Sequence, residues 1–316
     1  MFSDATDMPK QRSAKQYYVH WVVESAQYLY MDIHSLNNYF NWTMTYKRNS
    51  DFYLPYGRVT KIKDHPPPGP ELDALIRDFG QKNQHFAHNR TKDAKAAWFV
   101  SHCATQARRE IFAKEMKKSM TVDVFGKCTK NFHKKHERKS CSRANEKDCY
   151  KMLESTYRFY LSFENSICQD YVTEKFFNIL KYDVIPIVFN GGDLNSYAPP
   201  HSTIDALEYG SPYKLVKYLG IYILIYLLIY FFWVSFIINC LYFSETLSQD
   251  DALYASYFWW RDYYEVRNRA EDRAQAYCDL CARLNDPMEP PKIYTDMYKW
   301  WVSDSKCRKF SPPRNS

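Results

Sequence analysis

The stretch Tyr157–Phe189, YRFYLSFENSICQDYVTEKFFNILKYDVIPIVF, decides the fold. Tyr157 to Phe163 is a short run of aromatic and aliphatic side chains that reads as a strand, and Glu164 to Asp170 is a polar turn. Val172 to Leu180 reads as a helix with Val172, Phe176, Ile179 and Leu180 near one face. Asp183 to Phe189 is a second strand, stopped by Gly191-Gly192. Strand, helix and strand at this spacing make a parallel βαβ unit and imply a doubly wound sheet. Ligands of such sheets lie beyond the carboxyl ends of the strands. That rule places Glu164, Asn165, Tyr171, Glu174 and Lys175 at the mouth of a site.

The chemistry of these residues fits a phosphorylated sugar. Thr173 lies near the start of the helix, where N–H groups and the helix dipole attract a phosphate. Lys175 adds a positive charge in the same turn, and Glu174 can hydrogen-bond sugar hydroxyls. The same residues also describe a capped helix with a surface ion pair.

Upstream, short strands alternate with loops. Tyr17 to Val23 (YYVHWVV) reads as a buried strand ending at Glu24, and Asp51 to Tyr56 as another. Asp64 to Pro70 (DHPPPGP) excludes helix and central strand and makes a surface connection. A helix over Glu71–Gly80, a strand over Ala96–Ser101, a helix from Arg108 to Met116 and a strand over Thr121–Phe125 follow. The polar start, MFSDATDMPKQRSAK, has no apolar core of the kind a signal peptide or anchor needs. Downstream, Gly220 to Phe243 runs 24 residues without a charge. By hydropathy it reads as a membrane-spanning helix, set oddly inside an α/β domain.

Composition narrows the class. With 316 residues, 46% hydrophobic and 25% charged, the chain is globular and long enough for two domains. The formal charge of +7 points to an anionic partner. The densest basic run, Lys127 to Lys139, lacks interleaved aromatics or a recognition-helix pattern, so nucleic acid is not the partner expected. Nine cysteines read as buried thiols, a zinc site or disulfides; Cys278 and Cys281 form the single CxxC, with no second pair to complete a zinc site. The pairs His85/His88 and His133/His136 likewise lack further ligands, and no Asp-x-Asp motif is present, so no metal is expected. Sequons at Asn41 and Asn89 favour a glycosylating, oxidising compartment.

Taken with YAPPHSTIDAL at 197–207, the deciding stretch resembles the donor-binding signature of the α1,3/α1,4-fucosyltransferases, glycosyltransferase family 10. FNWTMTYKRNSDFYLPYG at 40–57, AAWFVSHC at 96–103, VDVFGKC at 122–128 and YFWWRDYY at 257–264 extend the likeness from about residue 15 to the C-terminus. The resemblance implies a GT-B-like α/β fold of two Rossmann-like domains, the N-terminal one incomplete. Residues 1–95 would be the remnant of the acceptor domain and 96–316 the GDP-fucose domain, interrupted by the apolar insert 220–244. Deleting that insert joins Leu219 to Glu245 in ordinary family sequence, as though a translated intron had been removed. Without Cys240, eight cysteines remain, an even number suited to disulfides.

By the resemblance, Glu174 binds fucose hydroxyls, Lys175 and Arg109 the diphosphate, and Tyr171 and Asn165 line the donor pocket. Glu24 matches the general base. His102 stands where relatives commonly carry an asparagine. The reaction implied is inverting transfer of L-fucose from GDP-fucose to a GlcNAc of an N-glycan or glycolipid, with no metal cofactor. The whole protein is expected in the Golgi membrane, type II, with its catalytic domain in the lumen. An inactive sugar-nucleotide-binding relic and a true membrane-spanning protein are the alternative readings.

Overall fold

The computed structural model describes residues 8–9, 11–13, 15–29, 32–88, 95–134, 141, 146–220, 247–267 and 269–312. Two separate parallel sheets organise it, as the expected two-lobed α/β architecture requires. The first holds β1 (Val19–Val22), β2 (Trp42–Thr45) and β3 (Phe52–Tyr53), in that order and all parallel. Then come β4 (Arg58–Lys61) and α1 (Pro70–Lys82), whose first residue is a proline, with φ suited to a helix start.

The second sheet begins with β5 (Lys95–Phe99), followed by α2 (Arg109–Lys117), β6 (Thr121–Phe125) and α3 (Glu146–Thr156). It continues through β7 (Phe159–Phe163), α4 (Glu174–Phe177), β8 (Ile185–Phe189) and β9 (Ile204–Asp205). Its order is β6-β5-β7-β8-β9, with every pairing parallel. All five residues of β7 and of β8 are buried, which is why both strands are nearly continuous apolar runs. Phe112, Phe163, Phe189 and Phe310 pack ring to ring on one face of this sheet.

The chain then returns. After α5 (Pro212–Leu219) and α6 (Asp251–Ser256), β10 (Tyr264–Arg267) pairs antiparallel with β4. Ala276 and Leu280 of α7 (Arg269–Leu284) pack on Trp42, Met44 and Phe52 of the first sheet. Met297 and Trp301 of α8 (Met297–Trp301) join the cluster formed by Tyr46, Tyr171 and Phe177. Asp51 fastens this return, accepting from Arg283, Lys292 and Tyr294. The last strand residues and helices thus close over the first sheet, and the two sheets meet along the β7–α4 connection.

Three expectations change. The helix anticipated over Val172–Leu180 is only α4, continued by a tighter turn at Ile179–Lys181: Thr173 is extended and caps the start, Asn178 is still helical, and the backbone returns to extended geometry at Tyr182. The strand anticipated over Asp51–Tyr56 is two residues long. Of the eight cysteines thought suited to disulfides, six pair, as Cys103–Cys128, Cys141–Cys149 and Cys168–Cys307. Cys278 and Cys281 remain exposed thiols on α7.

Residues 221–246, which include all of the apolar run but Gly220, lie outside the described residues, Cys240 among them, as does the sequon asparagine Asn89. Among the described residues no helix is long and apolar enough to cross a membrane.

Candidate active site

β1 ends at Val22, and the chain turns so that Glu24 reaches the β7–α4 connection. Glu24 Oε1 accepts from the Ser25 backbone N–H at 3.1 Å, Asn165 Nδ2 at 3.3 Å and the Tyr171 hydroxyl at 2.5 Å. Beside them the hydroxyls of Ser25 and Ser166 share a buried hydrogen bond of 2.5 Å. Tyr171 is 1% exposed, with its ring held edge-on between Tyr46 and Tyr56 at centroid distances of 5.0 and 6.3 Å. Burial, and then the negative charge of Glu164, push its hydroxyl far above the usual phenol range. It stays a proton donor at any working pH.

A second polar group sits at the start of α4. Lys175 Nζ lies 3.2 Å from Glu164 Oε2, 3.1 Å from Glu174 Oε1 and 2.9 Å from Thr173 Oγ1. Glu164 is wholly buried at the end of β7, and its Oε1 accepts from both N–H and Oγ–H of Thr173 at 2.8 Å. Burial raises the Glu164 carboxyl above the ordinary glutamate value, and the Lys175 charge opposes that rise. Glu174 is also penalised by burial, but Lys175 and its hydrogen bonds bring it below the ordinary value. Lys175 is raised, since its two carboxylates outweigh burial.

This corrects one sequence expectation. The sequence reading sets a phosphate against the N–H groups at this helix start, and of these the Thr173 N–H is occupied by the Glu164 carboxylate. The anion at this helix start belongs to the protein itself. Glu164, Asn165 and Tyr171 are also buried rather than at an open mouth, whereas the Glu174 side chain is 48% exposed.

Arg109 opens α2, deeply buried, and donates to the carbonyls of Phe163 (2.5 Å) and His102 (3.2 Å) with its guanidinium over Trp98. Burial lowers its pKa, against the pull of Glu164. Its tie to the β7 end braces the strand that delivers Glu164. A cavity of about 400 Å³ opens beside Glu174, with Tyr56, Lys181 and Arg269 among its walls. Arg269 lies over the Tyr56 ring at 4.4 Å, and the Tyr56 hydroxyl donates to the Val23 carbonyl at 2.5 Å. Sequence reading missed Tyr56, Ser25 and Ser166; no spacing rule connects residues so far apart in the chain.

The remaining candidates fall elsewhere. Asn41 precedes β2, and its Nδ2 donates to the Lys292 carbonyl at 2.9 Å, so a glycan there would displace a link to the returning chain. His133 is structural: its Nε2 accepts from the Val124 N–H at 3.0 Å. Among the described residues no three His, Cys, Asp or Glu side chains are grouped to hold a metal ion.

Titratable groups therefore converge where two parallel α/β sheets meet, the place such folds reserve for ligands. The family pattern "Glycosyltransferase family 10 (fucosyltransferase) C-term" matches residues 89–233 and 240–300, and "Fucosyltransferase, N-terminal" matches 1–57. The chain belongs to glycosyltransferase family 10. It is 34% identical to α-(1,3)-fucosyltransferase C of Drosophila melanogaster, over 98% of this chain and 64% of that one. It is also 34% identical to glycoprotein 3-α-L-fucosyltransferase A of the same fly, over 84% and 44%. A solved α1,3-fucosyltransferase with GDP-fucose aligns at a TM-score of 0.47 and 13% identity, covering 90% of this chain and 78% of that one. The chain thus spans about half to two thirds of the length of these curated relatives.

Proposed function

We propose that this chain carries the catalytic region of an inverting α1,3-fucosyltransferase, moving L-fucose from GDP-fucose to a GlcNAc hydroxyl of a glycoprotein glycan or glycolipid. The observation that carries the reading is the Glu24 carboxylate, presented at the end of β1 and held by Asn165 and Tyr171 beside the Glu164–Lys175–Glu174 group. Glu24 takes the proton of the acceptor hydroxyl, that oxygen attacks the anomeric carbon, and the bond to GDP breaks on the opposite face. Configuration inverts in this single displacement. Glu174, half exposed beside the cavity, takes the fucose hydroxyls, and Lys175 meets the charge that develops on the departing diphosphate. Arg109 acts behind them by fixing the end of β7. In this reading no metal ion is required.

Three disulfides among the described residues support an oxidising compartment, and with it a lumenal, Golgi-membrane setting for the whole protein. The test is transfer from GDP-fucose to a panel of GlcNAc-terminated and chitobiose-core glycans. Glu24→Gln should abolish transfer and leave GDP-fucose binding within about twofold. A variant that keeps its rate, or loses donor binding in parallel, overturns the assignment of Glu24.

A further inference from the structure

Resting on the reading that Tyr171 lines the GDP-fucose pocket, we infer that Arg48, Asp170 and Tyr197 form a clasp between the two sheets that sets Tyr171 in place, so that donor affinity depends on a loop of the first sheet. Asp170 immediately precedes Tyr171 and has a φ of +63°, in the left-handed region. A residue with a side chain keeps that conformation only where its surroundings fix it. The turn is tight: the Tyr171 N–H bonds the Cys168 carbonyl at 3.2 Å, and the Val172 N–H bonds the Asp170 carbonyl at 3.0 Å. Relaxing Asp170 out of the left-handed region therefore redirects the next side chain, which now sits edge-on between Tyr46 and Tyr56.

What fixes Asp170 comes from both sheets. Its Oδ2 accepts from the Arg48 backbone N–H at 3.2 Å, and its Oδ1 accepts from the Tyr197 hydroxyl at 3.2 Å. Arg48 lies on the loop from β2 to β3, whereas Tyr197 lies between β8 and β9. The Arg48 side chain closes the ring of contacts. Its Nη2 donates to the Ser196 carbonyl at 2.5 Å, and its guanidinium lies 4.3 Å from the centroid of the Tyr197 ring. Arg48 is exposed and Tyr197 is buried. An exposed side chain of this kind adds little to global stability. Its leverage is local, because it holds the ring whose hydroxyl holds Asp170. The other end of the turn is already tied down, by the Cys168–Cys307 disulfide and by the Gln169 N–H on the Ser305 carbonyl at 2.8 Å. The freedom that remains is at Asp170, and the clasp removes it.

Three variants of the full chain test this. Arg48→Ala removes the guanidinium and leaves the backbone bond to Asp170. Tyr197→Phe removes only the hydroxyl. Asp170→Gly removes the carboxylate but keeps a residue that adopts the left-handed turn freely, so it separates holding the turn from merely permitting it. Asp170→Gly should weaken the calorimetric Kd for GDP-fucose by about tenfold, as for one lost hydrogen bond to a charged group, and the other two several-fold. Arg48→Ala/Asp170→Gly should bind no more weakly than Asp170→Gly, since Arg48 acts through that carboxylate. Amide hydrogen exchange should quicken over residues 168–173 in each variant and stay unchanged in α2 and α7, a local signature that general destabilisation does not give. Donor affinity within twofold of wild type in all three, losses that multiply in the double variant, or exchange that quickens everywhere alike would each overturn the clasp. Tyr171→Leu tells the two failures apart. If it binds GDP-fucose as wild type does, the pocket reading fails and the inference falls with it; if it loses affinity and the clasp variants do not, the inference alone fails.

Discussion

Replacing Lys175 by alanine should destabilise the protein in a way that grows with pH. Its ammonium is the cation for two carboxylates of different exposure, Glu164 at 0% and Glu174 at 48% of the side chain. Removing one partner of a buried pair costs about 3–5 kcal/mol, because the other charge is left uncompensated. Glu164 keeps its two hydrogen bonds from Thr173, which sets the loss toward the lower end. The half-exposed Glu174 adds less than about 1 kcal/mol. The sum is about 3 kcal/mol near neutral pH.

The pH dependence follows from Glu164. Burial raises its folded pKa above the unfolded value, so its favourable contribution is complete below the unfolded pKa and is lost as pH rises through the folded one. Lys175 is the charge that limits this rise. Without it the carboxyl titrates higher, and the variant pays its full deficit only above that point. Thermal melts of wild type and Lys175→Ala from about pH 4.3, near the ordinary glutamate value, to pH 8 should show the gap in Tm widening with pH. At pH 8 it should reach about 6–12 °C, taking 2–4 °C per kcal/mol for a large domain. A gap that is the same at every pH, or below about 1 kcal/mol at pH 8, refutes the reasoning about Glu164. At a temperature where the variant is folded, the role proposed for Lys175 on the departing diphosphate predicts that kcat/KM for GDP-fucose still falls by the equivalent of roughly 2–4 kcal/mol.

Two further outcomes are expected. Cys168–Cys307 closes a loop of 139 residues, so Cys307→Ser should cost up to about 5 kcal/mol in chemical denaturation, against little change if the C-terminal segment docks without it. Gly80→Ala should lower stability by about 1–3 kcal/mol, because an added Cβ would stand 2.3 Å from the Ala252 carbonyl where α1 packs on α6; an unchanged denaturation midpoint would show that the two helices part freely.

The second sheet was legible because its central strands are buried on both faces. Thr121–Phe125 was read to the residue, and β7 and β8 within two residues of their starts, from unbroken apolar runs bounded by turns. The first sheet hides its signal. β2 is buried at all four positions, yet half of it is threonine, with Thr43 and Thr45 satisfied by Asp51 and Ser50. α7 runs 16 residues with only Asp272 and Ala276 buried, so it has almost no apolar face to detect. The candidate site residues come from resemblance and the strand-end rule, and the fold brings Glu24, Asn165, Tyr171, Glu174 and Lys175 to the β7–α4 connection. Their partnerships were not. Tyr171 meets Glu24 across 147 residues of sequence, and Glu164 takes the Thr173 N–H because a buried carboxylate must find donors, a demand that appears only once packing has buried it.

The described flanks of the apolar insert are hydrogen-bonded to each other. α5 ends at Leu219, and the Gly220 N–H still bonds the Val216 carbonyl at 3.2 Å. Past residue 246 the Leu247 N–H bonds the Tyr218 carbonyl at 3.3 Å, and the Ser248 N–H bonds the Leu219 carbonyl at 3.2 Å. Leu219, Leu247 and Ser248 are all fully buried. Each of these pairs is 29 residues apart in sequence. Removing the 25 residues from Gly220 to Ser244 makes each pair four apart, the spacing of an α-helix, with Glu245 following Leu219 directly. Both bonds then have the i to i+4 spacing of a helical backbone, and the two flanks of the insert meet there. The chain without 220–244 should melt no lower than the full chain and bind GDP-fucose equally well, because the deletion leaves these flank bonds at helical spacing. Register makes the test sharp. Deleting 24 or 26 residues at the same place rotates everything after the splice by about 100° and turns Leu247 out of the core, so both should be less stable than the 25-residue deletion. Equal melting temperatures for all three lengths, or unfolding of the 25-residue deletion, would show that the two flanks are merely neighbours and not two halves of one helix.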